Sequence, residues 1–124
     1  MTDCIFCTLI DERIKMCELG MLVIEDAYPV TPGHHLIIPK RHVLTWFDLN
    51  SDERAALDQL LHQQRKVLLA SDPSITGFNI GVNCGEDAGQ TIPHCHVHMI
   101  PRRHGDTEDP RGGVRGVIPD QQQY

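Results

Sequence analysis

His94-Cys95-His96-Val97-His98-Met99-Ile100 is the stretch that decides how the rest of this 124-residue chain reads. Three histidines alternate with apolar or soft residues. In a strand, successive side chains point to opposite faces. His94, His96 and His98 then share one face, and Cys95, Val97 and Met99 share the other. Alternate residues sit roughly 6.5–7 Å apart along a strand. Three imidazoles in register are costly unless water, a metal or a substrate satisfies their nitrogens. Two chemistries fit. The histidines can hold a metal, or a neutral imidazole can act as a nucleophile at phosphorus, with a second histidine as acid for the leaving group. The unperturbed histidine value near 6.5 keeps such a ring largely neutral at cellular pH.

Working outward, Thr91 to Ile100 reads as the strand that carries the histidines, closed by Pro101. Just upstream, Gly89-Gln90-Thr91 offers flexible backbone, an amide and a hydroxyl, which can donate to phosphate oxygens. Phe78 to Asn83 reads as a strand, and Cys84 to Gly89 as a turn. Leu57, Leu60, Leu61, Val67 and Leu68 form an apolar stripe, so residues 51–70 read as one long helix. Asn50 and Glu53 have the spacing of a capping pair at its start, and Asp72-Pro73 ends it. Met21 to Glu25 and His34 to Ile38 read as strands, the second stopped by Pro39. Turns lie between them at Asp26-Ala27-Tyr28-Pro29 and Thr31-Pro32-Gly33. Ile5, Phe6, Leu9 and Ile10 predict a short N-terminal helix from Cys4 to Glu12. Beyond Pro101 the pattern loses periodicity. The expected architecture is α+β: a mainly antiparallel sheet, one long helix and a short N-terminal helix. Residues 1–124 read as a single domain, with 102–124 a loop-rich C-terminal arm.

The net charge of −6 argues against nonspecific nucleic-acid binding or attraction to anionic membranes. No apolar run is long enough to span a membrane. Met1-Thr2-Asp3-Cys4 lacks the basic-then-apolar order of a signal peptide. Five cysteines is an odd count without the density of a disulfide scaffold. Reduced thiols in the cytoplasm are the expectation. Cys4 and Cys7 leave three readings open: a redox pair, half of a tetrahedral zinc site, or two small buried residues. The redox reading expects a βαβ setting that the pattern lacks.

The run Gly89-Gln90-Thr91-Ile92-Pro93-His94-Cys95-His96-Val97-His98-Met99-Ile100 resembles the signature of the histidine-triad (HIT) family. Pro32-Gly33-His34-His35-Leu36-Ile37-Ile38-Pro39-Lys40-Arg41-His42 is similar to that family's upstream block. The tail from Asp109 to Pro119 resembles bacterial members described as diadenosine polyphosphate hydrolases.

The resemblance implies a nucleotide hydrolase or transferase that cleaves at the α-phosphate of a dinucleoside polyphosphate and releases nucleoside monophosphate. His96 matches the nucleophile that becomes nucleotidylated. His98 matches the histidine on the α-phosphate and leaving-group side. His34 matches the histidine that supports this network, with His35 pointing away. Gln90 and Thr91 match phosphate contacts, and Asn83 a residue beside phosphate and ribose. Asp26 matches the carboxylate that takes the ribose hydroxyls. Ile5, Phe6, Leu9 and Ile24 match walls of a base pocket, with Ile24-Glu25 standing where relatives often have an aromatic. Some bacterial relatives hold structural zinc through the residues corresponding to Cys4, Cys7, His42 and His94. The resemblance also implies a homodimer that joins two half-sheets, a purine nucleotide as ligand, and neither nucleic acid nor membrane as partner. A nucleoside phosphoramidate is the alternative substrate, since it shares the α-phosphate and differs in leaving group. The rival classes are a metalloenzyme with its metal on the three histidines, and a noncatalytic nucleotide-binding protein. Arg102, Arg103 and His104 could add positive potential near phosphates. Arg111 and Arg115 could reach distal phosphates.

Overall fold

A computed structural model describes residues 4–9 and 11–124. Met1-Thr2-Asp3 and Ile10, which enter the N-terminal expectations, lie outside the described residues. Five antiparallel strands form one sheet: β1 (Ile14–Glu18), β2 (Met21–Glu25), β3 (His35–Pro39), β4 (Ile75–Val82) and β5 (Val97–Arg103). Their spatial order is β1-β2-β3-β5-β4. The one long helix, α1 (Ser51–Ser71), connects β3 to β4. Among the described residues, none of the helices is long and apolar enough to cross a membrane.

The capping pair is present. Asn50 Oδ1 accepts from the Glu53 N–H and Glu53 Oε1 accepts from the Asn50 N–H, each at 2.8 Å. These bonds satisfy two of the amide groups that any helix leaves open at its start. The buried side of α1 carries Ala56, Leu57, Leu60 and Leu68. Ala56, Leu57 and Leu60 pack with Met21, Val23, Ile37, Cys95 and Val97 in the main core. Fully burying a side chain such as Leu60 or Ile37 contributes about 1.5–3 kcal/mol. Strand alternation sends Leu22, Ile24, Leu36 and Ile38 to the other face, where Phe6 covers them. β2 is therefore apolar on both sides, which explains its unbroken Met21-Leu22-Val23-Ile24.

The register places the functional face. In β5, His98 lies opposite Leu36 of β3 and Gly81 of β4. Val97 and Met99 are buried in clusters that include residues of α1. His98 is thus on the sheet face away from α1. Gly33 sets the approach to β3. Its φ is +91°, and an added Cβ would come within 3.1 Å of Pro101 and 3.3 Å of Leu68. Glycine alone fits this conformation and this space without strain.

The structure corrects four details. Cys4 to Glu12 does not form the expected helix: Ile5–Thr8 is a turn and Asp11–Arg13 a 3-10 turn. The apolar residues there cover the sheet and bend around the two cysteines instead. β1 is a strand that the helical pattern obscured. Its signals were the alternation of Ile14 and Met16 with polar residues and the Leu19-Gly20 turn, both at positive φ. The triad strand starts at Val97, not Thr91, because Pro93 has no amide to give and the His94 N–H turns back to the Ile92 carbonyl at 2.8 Å. It also runs through Pro101 to Arg103, so Pro101 interrupts the donors without ending the strand.

Candidate active site and metal centre

His94 and His96 precede β5, yet the histidines keep to one side, with the His96 and His98 ring centroids 5.3 Å apart. The His96 and His34 rings are each fixed by a backbone group that also decides where the proton sits, and His34 in turn fixes His98. His96 Nδ1 lies 2.8 Å from the His94 carbonyl oxygen. A carbonyl only accepts, so Nδ1 carries the proton and Nε2 keeps a free lone pair. His34 Nδ1 accepts from the Val30 N–H at 3.1 Å, which puts its proton on Nε2. That Nε2–H donates to His98 Nδ1 at 2.9 Å. His98 in its neutral form then carries its proton on Nε2.

Asp26 closes this network. Its Oδ1 accepts from the Tyr28 N–H at 2.8 Å, and its Oδ2 stands 3.4 Å from His34 Nε2 and 3.9 Å from His98 Nδ1. Burial holds His34 and His98 below the ordinary histidine value, and the Asp26 charge opposes that shift in both. For His98 the neighbouring His96 and His34 add to the depression. Asp26, His34 and His98 lie close enough to suggest a metal site. The tautomer argues otherwise. A metal on His34 Nε2 would need the proton on Nδ1, where the Val30 N–H already points.

Asp26, His96 and His98 border a cleft of about 310 Å³. His96 and His98 line its reactive end, with Asn83 and Thr91 beside them and Asp26 on the rim. Ile5 and Phe6 line the cleft as expected. Leu9 and Ile24 do not; they pack in the cluster beneath it. Gln90 also stays out of the cleft. Its amide donates to the Leu44 and Ile92 carbonyls at 2.7 and 3.1 Å and accepts from the Gly85 N–H at 2.9 Å. It is spent on holding the loop before the triad. Arg13, Tyr28 and Ile92 also line the cleft without having been singled out in the sequence. Arg13 arrives there at the end of the 3-10 turn that leads into β1, and its guanidinium donates to the Glu25 carbonyl at 3.1 Å.

The basic residues after the triad have structural partners. Arg102 pairs with Asp106 at 2.7 Å and Arg103 with Asp72 at 2.8 Å. Arg115 lies over the Tyr124 ring, and Arg111 faces Asp109. Cys95 is fully buried and its thiol is pushed up to about 12, chiefly by desolvation, so it behaves as an apolar core residue.

His94 belongs to a different site. Its Nε2–H donates to the Pro39 carbonyl at 2.7 Å, which leaves Nδ1 without a proton. That atom faces Cys4 Sγ at 3.5 Å, Cys7 Sγ at 3.6 Å and His42 Nδ1 at 3.1 Å. Cys7 Sγ lies 3.1 Å from His42 Nδ1. A tetrahedral zinc with bonds of roughly 2.0–2.3 Å needs ligand separations of about 3.3–3.8 Å. The spacing is near that range, and two sulfurs with two imidazoles form a common zinc donor set. The residues fit the metal.

A HIT domain model matches residues 11–105. The chain belongs to the HIT family. It is 33% identical over 104 residues to an uncharacterised HIT-like protein of Mycoplasma pneumoniae, spanning 81% of this chain and 72% of that one. It is 45% identical over 80 residues to the bis(5'-nucleosyl)-tetraphosphatase (asymmetrical) of Schizosaccharomyces pombe, covering 63% of this chain and 42% of that enzyme. A zinc-bound histidine-triad protein from Mycobacterium smegmatis superposes with a TM-score of 0.73 at 30% identity, covering 95% of this chain and 92% of the other. The HIT fold therefore embraces nearly the whole chain, with both histidine clusters inside it.

Proposed function

We propose that this HIT protein hydrolyses a dinucleoside polyphosphate at the α-phosphate through a nucleotidyl-His96 intermediate. The observation that carries this reading is the hydrogen bond from His96 Nδ1 to the His94 carbonyl. It holds the ring with the Nε2 lone pair available for attack. In the first step Nε2 forms a bond to the α-phosphorus and the bond to the leaving oxygen breaks. His98, with its Nε2–H, is placed to give that oxygen a proton. In the second step water replaces His96 on phosphorus, its proton returns to His98 Nε2, and nucleoside monophosphate leaves. Asp26 takes the ribose hydroxyls, Asn83 and Thr91 contact phosphate, and Ile5 and Phe6 wall the base. Gln90 acts by positioning the loop that carries Thr91. The activity for which the S. pombe relative is named supports this substrate class.

Zinc held by Cys4, Cys7, His42 and His94 would have all four positions filled by protein, so it supplies a crosslink and no open site for chemistry. The homodimer belongs to this reading too, since β4 lies at an edge of the sheet and can extend it. The test is rapid-quench trapping with labelled substrate, followed by mapping of the labelled residue. Label on His96 is expected, and none in His96→Ala. Near-wild-type turnover by His96→Ala would sink the mechanism. Assay of a nucleoside phosphoramidate alongside diadenosine tetraphosphate separates the two leaving groups.

A further inference from the structure

Phe6 sits inside the Cys4–Cys7 turn, yet its ring rests on two histidines with different tasks. The centroid lies 5.7 Å from that of His94, nearly perpendicular at 79°, and 5.3 Å from that of His96, tilted at 57°. The side chain is 5% exposed and forms part of the cleft wall. The backbone gives this turn little anchorage. Its hydrogen bonds among the described residues are local: the Cys7 N–H and the Thr8 hydroxyl both donate to the Cys4 carbonyl. What fixes it to the body of the protein is the sulfur–imidazole cluster and the burial of Phe6 and Leu9.

We propose that Phe6 is a positioning residue that couples metal occupancy of the Cys4–Cys7–His42–His94 centre to the His96 ring and the cleft wall. This rests on the reading of that centre as a metal site and of His96 as the reacting residue. Bound metal draws both sulfurs onto fixed bonds and so pins the turn between them. Phe6 is then held against His96, limiting the ring to the orientation set by the His94 carbonyl. With the metal removed, the turn keeps only its own hydrogen bonds and an apolar contact. Metal and nucleotide therefore bind cooperatively, and the coupling is reciprocal by linkage.

The test is a thermodynamic cycle with zinc and AMP. AMP affinity is measured by calorimetry on zinc-loaded and zinc-stripped protein, and zinc affinity by competition with a chromophoric chelator, with and without AMP. In wild type, zinc is expected to tighten AMP binding about tenfold, with the same factor in reverse. In Phe6→Ala the coupling should collapse to less than about twofold. Equal AMP affinity with and without zinc in wild type, or undiminished coupling in Phe6→Ala, overturns the inference. If the stripped protein unfolds, zinc-loaded Phe6→Leu decides. Full zinc and near-native melting, with AMP binding weakened and the His96 ring resonances of the nucleotide-free protein shifted, and recovery of both in Phe6→Tyr, support the coupling, whereas unshifted His96 resonances overturn it. Unchanged AMP binding in Phe6→Leu overturns it. A wild type that takes up no zinc overturns both this inference and the metal centre. Absent coupling in a wild type that binds zinc and is labelled on His96 overturns the inference alone.

Discussion

His34 Nε2 donates to His98 Nδ1 across 2.9 Å, and this bond gives His98 its tautomer. The order of command begins at the backbone. The Val30 N–H fixes His34, and His34 fixes His98. Removing His34 leaves His98 free to carry its proton on either nitrogen and to turn. His34→Ala is expected to lower kcat by about 10²-fold, the low end of what one proton-transfer group supplies. The loss in KM should be small, because His34 does not line the cleft. A variant with kcat within a factor of about two of wild type would show that His98 is oriented by something else.

Metal content gives the second prediction. Purified wild-type protein should hold about one zinc per chain, and Cys4→Ser/Cys7→Ser should hold none. The double variant loses a crosslink between the N-terminal turn, the segment after β3 and the approach to β5. Its melting temperature should fall by about 10 °C or more. Metal analysis with scanning calorimetry checks both. A metal-free wild type with the melting temperature of the double variant would exclude the centre.

The metal ligands are the part of the site least legible in the residues alone. Cys4-x-x-Cys7 read three ways, and only the resemblance pointed to His42 and His94. Their distance in sequence hid the convergence, which the fold creates by bringing the end of β3 beside the triad. The long helix, its Asn50–Glu53 cap and the strands β2 and β3 were legible, because each carries its own periodicity or turn signal. β1 was not. Its five residues include one cysteine and two charges, and an apolar N-terminal run drew the reading towards a helix. Gln90 shows a different limit. An amide beside a phosphate-binding loop suits either a ligand or the loop's own carbonyls, and composition cannot tell which partner wins. The strand of three histidines was right about the shared side and wrong about the start, since Pro93 breaks the ladder that alternation alone would extend.

Acid should destabilise the fold through His34 and His98. Burial lowers both below the ordinary value of 6.5, with Asp26 opposing. The unfolded chain takes up protons near that ordinary value. Between the depressed folded values and 6.5 the unfolded state binds more protons, so stability rises with pH through that window and is lost on acidification. Urea unfolding at about pH 5.5 and about pH 7.5 tests the sign. The Cys4→Ser/Cys7→Ser variant is the right background, because metal release has its own proton linkage. The midpoint should be lower at the acidic pH, and adding His98→Gln should reduce the difference. A midpoint that rises on acidification would contradict the burial argument.

Glu53 ties the start of α1 to the segment that carries His42. Its carboxylate accepts from Arg41 Nε and Nη2 at 3.1 and 2.8 Å and from the Asn50 N–H at 2.8 Å. The Arg41 bonds, then the Asn50 amide, hold its carboxyl below the usual range against the opposing desolvation. The Arg41 side chain is 52% exposed, whereas that of Glu53 is 5% exposed. The ion pair itself is therefore worth little, since Arg41 can turn to water. The cap and the buried acceptor carry more. Glu53→Ala should cost about 2 kcal/mol, and Glu53→Gln less than about 1 kcal/mol, because glutamine can keep the cap. Arg41 also donates to the Asp48 carbonyl at 3.0 Å, so losing its anchor should loosen residues 41–48 and weaken zinc binding through His42. Urea melts and chelator competition on the two variants check this. Equal losses in Glu53→Ala and Glu53→Gln would mean that the charge, and not the cap, holds this corner together.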